Sequence, residues 1–398
     1  KNEMWERRKI MNDTGNDKYL LTPGPLTTSL ATKRAMLRDW GSRDTEFIAI
    51  TKRIQDTLLA IAGVEGSHVA VPVQGSGTFG VEATLRTLIA PGQRTLVLEN
   101  GAYGTRIVTI LKAIGREVSV LGWREDQQVD PAALDTALRD DPNIDHVVVV
   151  HCETTTGILN DMVAVGRVCR AHERRLIIDA MSTFGAIPID GDSVPFDALI
   201  ASSNKCFEGV PGMAFALIRK QWLALAEGNA HSLSLDLYAQ WRGLEANGQW
   251  RFTPPTHVLA AFDQALKEHR AEGGVAARHG RYCANRDILV QGMRNLGFET
   301  LIADTVQAPI IVTFLMPADR RFDFPRFYDE LSERGFIIYP GKLSFADSFR
   351  IGCIGAVGAA EMQAALTAIK ATLEAMGIDE LASMPKDHTG RLNRTGTP

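Results

Sequence analysis

The sequence predicts an α/β protein: a large domain on a doubly wound, mostly parallel sheet, followed by a smaller α+β C-terminal domain. Three observations lead there. Short β-branched apolar runs alternate with helix-length segments through most of the chain. Several runs are apolar almost throughout, as strands covered on both faces must be, with VVVV at 147–150 and LII at 176–178. Around Arg242–Thr256 a stretch rich in Trp, Gly, Arg and Pro breaks the alternation, and a different order of elements follows.

In chain order, residues 1–18 are polar and aperiodic and are expected to be a mobile segment, as is the tail at 379–398. Residues 19–40 read as an arm packing on the small domain. The large domain is set at 41–270. Its strands are expected at His68–Gln74, Thr95–Glu99, Glu117–Gly122, His146–His151, Arg175–Asp179 and Asp197–Ser202. Val81–Ile89, Gly104–Ile114, Pro131–Arg139 and Met162–Glu173 are long enough to be crossover helices. A helical run at Val258–His269, extended by Val275–Leu296, leads into the small domain at 271–378. That domain reads as strand Ile310–Phe314, helix Phe324–Arg334, strands Phe336–Tyr339 and Ser348–Ile351, and helix Ala359–Met376. In such a sheet, functional residues gather just past the C-terminal ends of the strands.

Composition removes several classes. Across 398 residues, 43 Lys+Arg face 47 Asp+Glu, a net charge of −4 that lacks the basic surplus of a nucleic-acid binder. With 45% hydrophobic and 23% charged residues the chain has the make-up of a globular protein, not a disordered one. No apolar run reaches the roughly 18 residues of a membrane helix, and KNEMWERRKI holds no signal-like apolar core. The five cysteines are odd in number and form no CxxC pair, so neither a disulfide framework nor a zinc knuckle is expected. Nine histidines offer no HExxH spacing, and no catalytic metal is expected. A cytoplasmic enzyme fits all of this.

Three strand ends carry residues able to do chemistry. Gly75-Ser76-Gly77-Thr78-Phe79-Gly80 follows the strand Val69–Gln74 directly and opens a helix. Backbone N–H groups at a helix start, with the Ser76 and Thr78 hydroxyls, can hold a phosphate dianion. The same string fits GxGxxG, and Glu99 ends the next strand 19 residues on, the spacing of a dinucleotide-binding fingerprint. A plain tight turn would also account for the glycines. Asp179 ends an apolar strand, where a carboxylate is costly without a partner. A helix cap or a salt bridge would explain it structurally. Lys205 lies in Ser202-Ser203-Asn204-Lys205-Cys206-Phe207, past a strand and ahead of the turn Glu208–Gly212. Most such lysines are solvated surface groups. Here small polar neighbours and a Gly/Pro turn let backbone approach a ligand, and the strand follows the one that delivers Asp179.

A phosphate cradle, a carboxylate and an amine together specify pyridoxal 5′-phosphate. Its phosphate needs an anchor, its pyridine nitrogen a carboxylate to keep it protonated, and its aldehyde a lysine for the Schiff base. Nicotinamide chemistry has no use for that lysine, which sets back the rival reading, an NAD-dependent dehydrogenase. Gly335–Lys342 has one residue too many between its glycines for a P-loop, and no nucleotide is expected there.

Longer strings carry a family likeness. Leu20-Leu21-Thr22-Pro23-Gly24-Pro25-Leu26, Ala35-Met36-Leu37-Arg38-Asp39-Trp40 and Val73–Thr78 come first. His151-Cys152-Glu153-Thr154-Thr155-Thr156-Gly157, Asp179-Ala180-Met181-Ser182 and Ser203-Asn204-Lys205-Cys206 follow in order. From about residue 19 to 376 the chain resembles the class V aminotransferases, pyridoxal-phosphate enzymes of fold type I. The resemblance implies Lys205 as the Schiff-base lysine and Asp179 as the partner of the pyridine nitrogen. It implies that Ser76, Gly77 and Thr78 hold the phosphate and that Tyr103 stacks on the ring, where many relatives have Trp. Thr155 or its neighbour Thr154 would bond the ring hydroxyl. Thr253 matches a threonine that reaches the phosphate of the other subunit, implying a homodimer with shared active sites. Arg350 matches the arginine that binds the substrate's acidic group, a role suited to a planar two-pronged donor. The likeness is strongest to members that pass the amino group of 2-aminoethylphosphonate to pyruvate in phosphonate catabolism, with sister enzymes acting on alanine, serine or glyoxylate as the alternative.

Overall fold

The computed structural model describes residues 18–343, 345–379 and 381, so the two expected mobile ends lie almost entirely outside the described residues. The described chain falls into two compact units. One holds residues up to Leu30, the tetrapeptide Thr154–Gly157, and everything from Gly280 onward; the other holds Ala31–Glu153 and Ile158–His279. The chain passes from one unit to the other after Leu30 and again inside the helix Gly274–Asn295. A helix that continues past a boundary leaves no break in sequence pattern to mark it.

The strands in chain order begin with β1 (Tyr19–Leu20), β2 (His68–Gln74), β3 (Arg94–Glu99), β4 (Glu117–Gly122) and β5 (Ile144–Val150). Next come β6 (Cys152–Glu153), β7 (Ile158–Leu159), β8 (Arg175–Asp179), β9 (Ala198–Ser202) and β10 (Met213–Arg219). The last are β11 (Ile311–Leu315), β12 (Phe336–Ile337), β13 (Tyr339–Pro340) and β14 (Ser348–Gly352).

The larger unit is built on a seven-stranded sheet of order β2-β10-β9-β8-β5-β3-β4. Every neighbouring pair is parallel except those of β10, which runs antiparallel to both β2 and β9. The sequence reading had no strand at Met213–Arg219. A short loop after β9 brings the chain straight back, which is why this strand is reversed. Alternate side chains enter two cores. One face carries Val147, Val149, Leu176, Ile178 and Leu199 against Phe47, Leu58, Val165 and Phe262. The other carries Val148, Val150, Ile177 and Ile200 against Val81, Leu85, Ile107 and Trp241. Each of Val147–Val150 is 3% exposed or less, and burying such a side chain contributes roughly 1.5–3 kcal/mol.

Helix starts follow local chemistry. Asp44, Asp130, Asp161 and Asp236 each accept a backbone N–H in the first turn of the helix they precede. The helix after β2 spans Gly77–Leu88, four residues earlier than its apolar periodicity suggests, because the first turn holds two glycines and its one large side chain, Phe79, is exposed. Gly273, at φ +116°, separates Thr256–Glu272 from Gly274–Asn295, splitting the single helical run expected there.

In the smaller unit, β11 and β13 flank β14, antiparallel to it. The expected strand at 336–339 is two: β12 pairs in parallel with β1 and β13 with β14. Leu21, Phe298, Phe314, Phe327 and Phe349 lie in one apolar core with Ile351 and Met362.

Candidate active site

Strand alternation aims the site. Asp179 is two residues past Ile177 and Ser202 two past Ile200, so both face the side of the sheet covered by Gly77–Leu88. Gly75, at φ +124°, turns the chain out of β2; a Cβ there would meet the Phe79 ring at 2.7 Å. Ser76 holds the N-cap position, yet its hydroxyl makes no capping bond to the helix. Ser76 and Thr78 are exposed. A Cβ on Gly77 would meet Met181 Sδ at 2.5 Å, so the cradle lies directly against the residue two past Asp179.

Asp179 is 6% exposed and accepts the Met181 N–H at 3.0 Å. Burial pushes its carboxyl up to about 6, while that N–H and the charges of Arg106 and Lys205 pull it back. Lys205 sits on a tightly tied loop. The Ser203 hydroxyl donates to Val210 O at 2.7 Å, and the Gly209 and Glu208 N–H groups donate to Ser203 O and Lys205 O, both at 2.8 Å. Phe207 meets Phe184, Phe262 and His269 edge-on.

Tyr103 opens the helix Ala102–Ala113, with the Arg106 guanidinium 4.8 Å from its ring centre. The N–H groups of Tyr103 and Gly104 donate to Glu153 Oε2 and Oε1 at 3.2 and 2.8 Å. Glu153 is fully buried, and burial pushes it from 4.5 to about 7 against those two bonds. Thus Gly77, Asp179, Lys205 and Tyr103 share one neighbourhood. Thr253 lies in a cavity of about 360 Å³ with Ser42, Arg43, Trp250 and Arg251, whose lining includes none of those four.

In the other unit, Arg350 on β14 is 2% exposed. Its Nη1 donates to Thr154 O at 2.8 Å, and its Nε and Nη2 donate to Pro340 O at 3.1 and 3.0 Å, which fixes the guanidinium plane. The Thr313 hydroxyl donates to Thr155 O at 3.2 Å, while the buried Thr155 Oγ1 has no hydrogen-bond partner among the described residues.

The class V aminotransferase family model matches residues 30–335. The chain is 52% identical to 2-aminoethylphosphonate–pyruvate transaminase 2 of Burkholderia lata, over 92% of this chain and 97% of that one. It is 53% identical to the 2-aminoethylphosphonate–pyruvate transaminase of Cupriavidus necator, with the same coverages of 92% and 97%. The chain belongs to the class V aminotransferases.

Its fold is that of the fold-type I enzymes. The crystal structure of ureidoglycine–glyoxylate aminotransferase from Bacillus subtilis superposes with a TM-score of 0.83 at 23% identity, covering 90% of this chain and 94% of that one. Class V aminotransferases use pyridoxal phosphate, which retires the dinucleotide reading of Gly75–Gly80. The residues present fit that cofactor. The helix start after Ser76 is uncapped, with the Ser76 and Thr78 hydroxyls exposed beside it, and an acid is buried within reach of a lysine's charge. The buried Ser202 Oγ has no hydrogen-bond partner among the described residues, as a group meant for a ligand would not.

Sequence reasoning passed over Glu153, Ser202, Arg106 and Met181. Glu153 stands in a string already singled out, but its signal, two N–H donors converging on one carboxylate, exists only in three dimensions. Ser202 could have been found from parity, lying two residues past a core isoleucine at a strand end.

Proposed function

We propose that this chain transfers the amino group of 2-aminoethylphosphonate to pyruvate, giving phosphonoacetaldehyde and L-alanine. The observation that carries this reading is the 52–53% identity to transaminases of that name across nearly their whole length. The substrate carbon bearing nitrogen is oxidised to an aldehyde, the keto carbon of pyruvate is reduced to an amine, and no outside oxidant is needed. Pyridoxal phosphate, when bound, supplies the aldehyde that carries the nitrogen between halves and the ring that accepts the electron pair.

The chain's own groups do the rest. Ser76, Thr78 and the Gly77 N–H hold the phosphate at the helix mouth. Asp179 keeps a proton on the pyridine nitrogen, since a cation against its buried carboxyl is better solvated than either charge alone. Tyr103 offers an aromatic face. Lys205 Nζ takes the proton from the carbon bearing nitrogen in one half and delivers one in the other. Arg350, its plane held by Thr154 O and Pro340 O, binds the phosphonate in the first half and the carboxylate in the second. The unpartnered Thr155 Oγ1 supports Thr155 over Thr154 for the ring hydroxyl.

A homodimer and a cytoplasmic location belong to the same reading. Phe79, beside the cradle, and Phe252, beside Thr253, are 51% and 50% exposed, and Leu37 and Leu233 are 85% and 73% exposed, apolar surface that a second copy would cover. The deciding assay mixes purified protein with each amine donor and pyruvate and measures alanine. Alanine from 2-aminoethylphosphonate supports the reading; alanine formed only from another donor sinks it.

A further inference from the structure

Arg278 is an arginine 2% exposed in the first turns of Gly274–Asn295. A buried guanidinium persists only where its donors are met by well-placed acceptors. Two of its partners lie on the loop just past Lys205. Its Nη1 donates to the carbonyl of Cys206, the residue after Lys205, at 2.5 Å. The same nitrogen lies 3.3 Å from Glu208 Oε1, and Nε donates to Glu272 Oε2 at 2.7 Å. Glu208, 6% exposed, has φ +59°, a conformation that a residue with a side chain rarely adopts without support. Its N–H donates to Lys205 O at 2.8 Å. So the peptide units on the C-terminal side of Lys205 are gripped by one side chain, while Ser203 and Phe207 tie the loop to the sheet and the aromatic core.

We propose that Arg278 is a positioning residue for Lys205, fixing through Cys206 O and Glu208 the backbone from which the lysine amine moves its proton. The inference rests on Lys205 acting as the proton carrier of the transamination. Proton transfer depends steeply on where the base is held, so a loosened loop should slow that step more than it weakens substrate binding.

The test uses holoenzyme of wild type, Arg278→Met, Arg278→Lys and Glu208→Gln. Single-turnover loss of the lysine-bound cofactor's absorbance is followed with 2-aminoethylphosphonate, either ordinary or deuterated at the carbon bearing nitrogen. For Arg278→Met the expected result is a first half-reaction slowed on the order of 10²-fold, with KM moved less than about 3-fold. Its deuterium isotope effect should be larger than that of wild type, and its cofactor content undiminished. Arg278→Lys should recover part of the rate, and Glu208→Gln should fall between. An isotope effect unchanged in every variant, with rates tracking cofactor content alone, overturns the proposal. If Arg278→Met does not fold, Arg278→Lys and Glu208→Gln carry the same readout. Failure of the substrate reading is distinguishable: wild type would then not respond to 2-aminoethylphosphonate, and the isotope comparison runs with L-alanine deuterated at Cα.

Discussion

A carboxyl group held at 6% exposure at the end of an apolar strand needs a compensating charge, and Asp179 has Lys205 and Arg106 on its side of the sheet. Asp179→Asn keeps the shape and removes the charge. It should lower kcat by on the order of 10²-fold or more, and near-normal steady-state rates would count against the assignment. Lys205→Ala should abolish turnover while leaving the thermal midpoint close to wild type. Glu153 makes a pH prediction. Its folded value, about 7 against 4.5, means the folded chain holds a proton that the unfolded chain has released between those values. Its contribution to stability therefore falls as pH rises through that window, by up to about 3 kcal/mol. Melting curves of wild type and Glu153→Gln should converge or cross toward neutral pH, and a constant gap would refute it. Asp179 stood out in the sequence because a charged residue closing an apolar strand is visible as a break in composition, and Lys205 because of the small polar residues and the Gly/Pro turn around it. Glu153 did not, since what distinguishes it is which donors converge on it, and Ser202 could be reached only through strand parity.

Elements of the parallel sheet read clearly, because strands buried on both faces leave uninterrupted apolar runs such as Val147–Val150. β10 was missed although MAFALIR is as apolar as its neighbours. It breaks the alternation of strand and crossover helix on which the reading relied. The cradle helix was placed late for a related reason: the residue its first turn turns to the sheet is Gly80, which has no side chain to mark the apolar period. The helix Ala102–Ala113 shows how far one glycine can control an element. Gly101 has an ordinary extended φ, so what it supplies is room: a Cβ would meet the Glu153 carboxyl carbon at 2.6 Å. Gly101→Ala should push Glu153 off the Tyr103 and Gly104 N–H groups and cost about 1–3 kcal/mol of stability, read by denaturant unfolding. An unchanged midpoint would show that the carboxylate has another seat.

At the scale of the whole molecule, the sequence established that the chain carries a doubly wound unit and a smaller one, and it left their membership blurred. Thr154–Gly157 belongs with the residues from Gly280 onward although the chain on either side of it belongs to the sheet unit, an exchange no linear pattern announces. Assembly is tested at this scale too. Phe252→Asp should lower the mass measured in solution from two copies to one and reduce activity with it; a monomeric wild type removes the dimer from the account. The helix Gly77–Leu88 starts without a stopper of its own, because the Ser76 hydroxyl does not close it. On the proposed reading, an arriving dianion would be the missing cap, so that loading the enzyme and finishing its fold would become one event. Amides of Gly77 and Thr78 should trade hydrogen for deuterium freely in protein stripped of vitamin and slowly once it is restored.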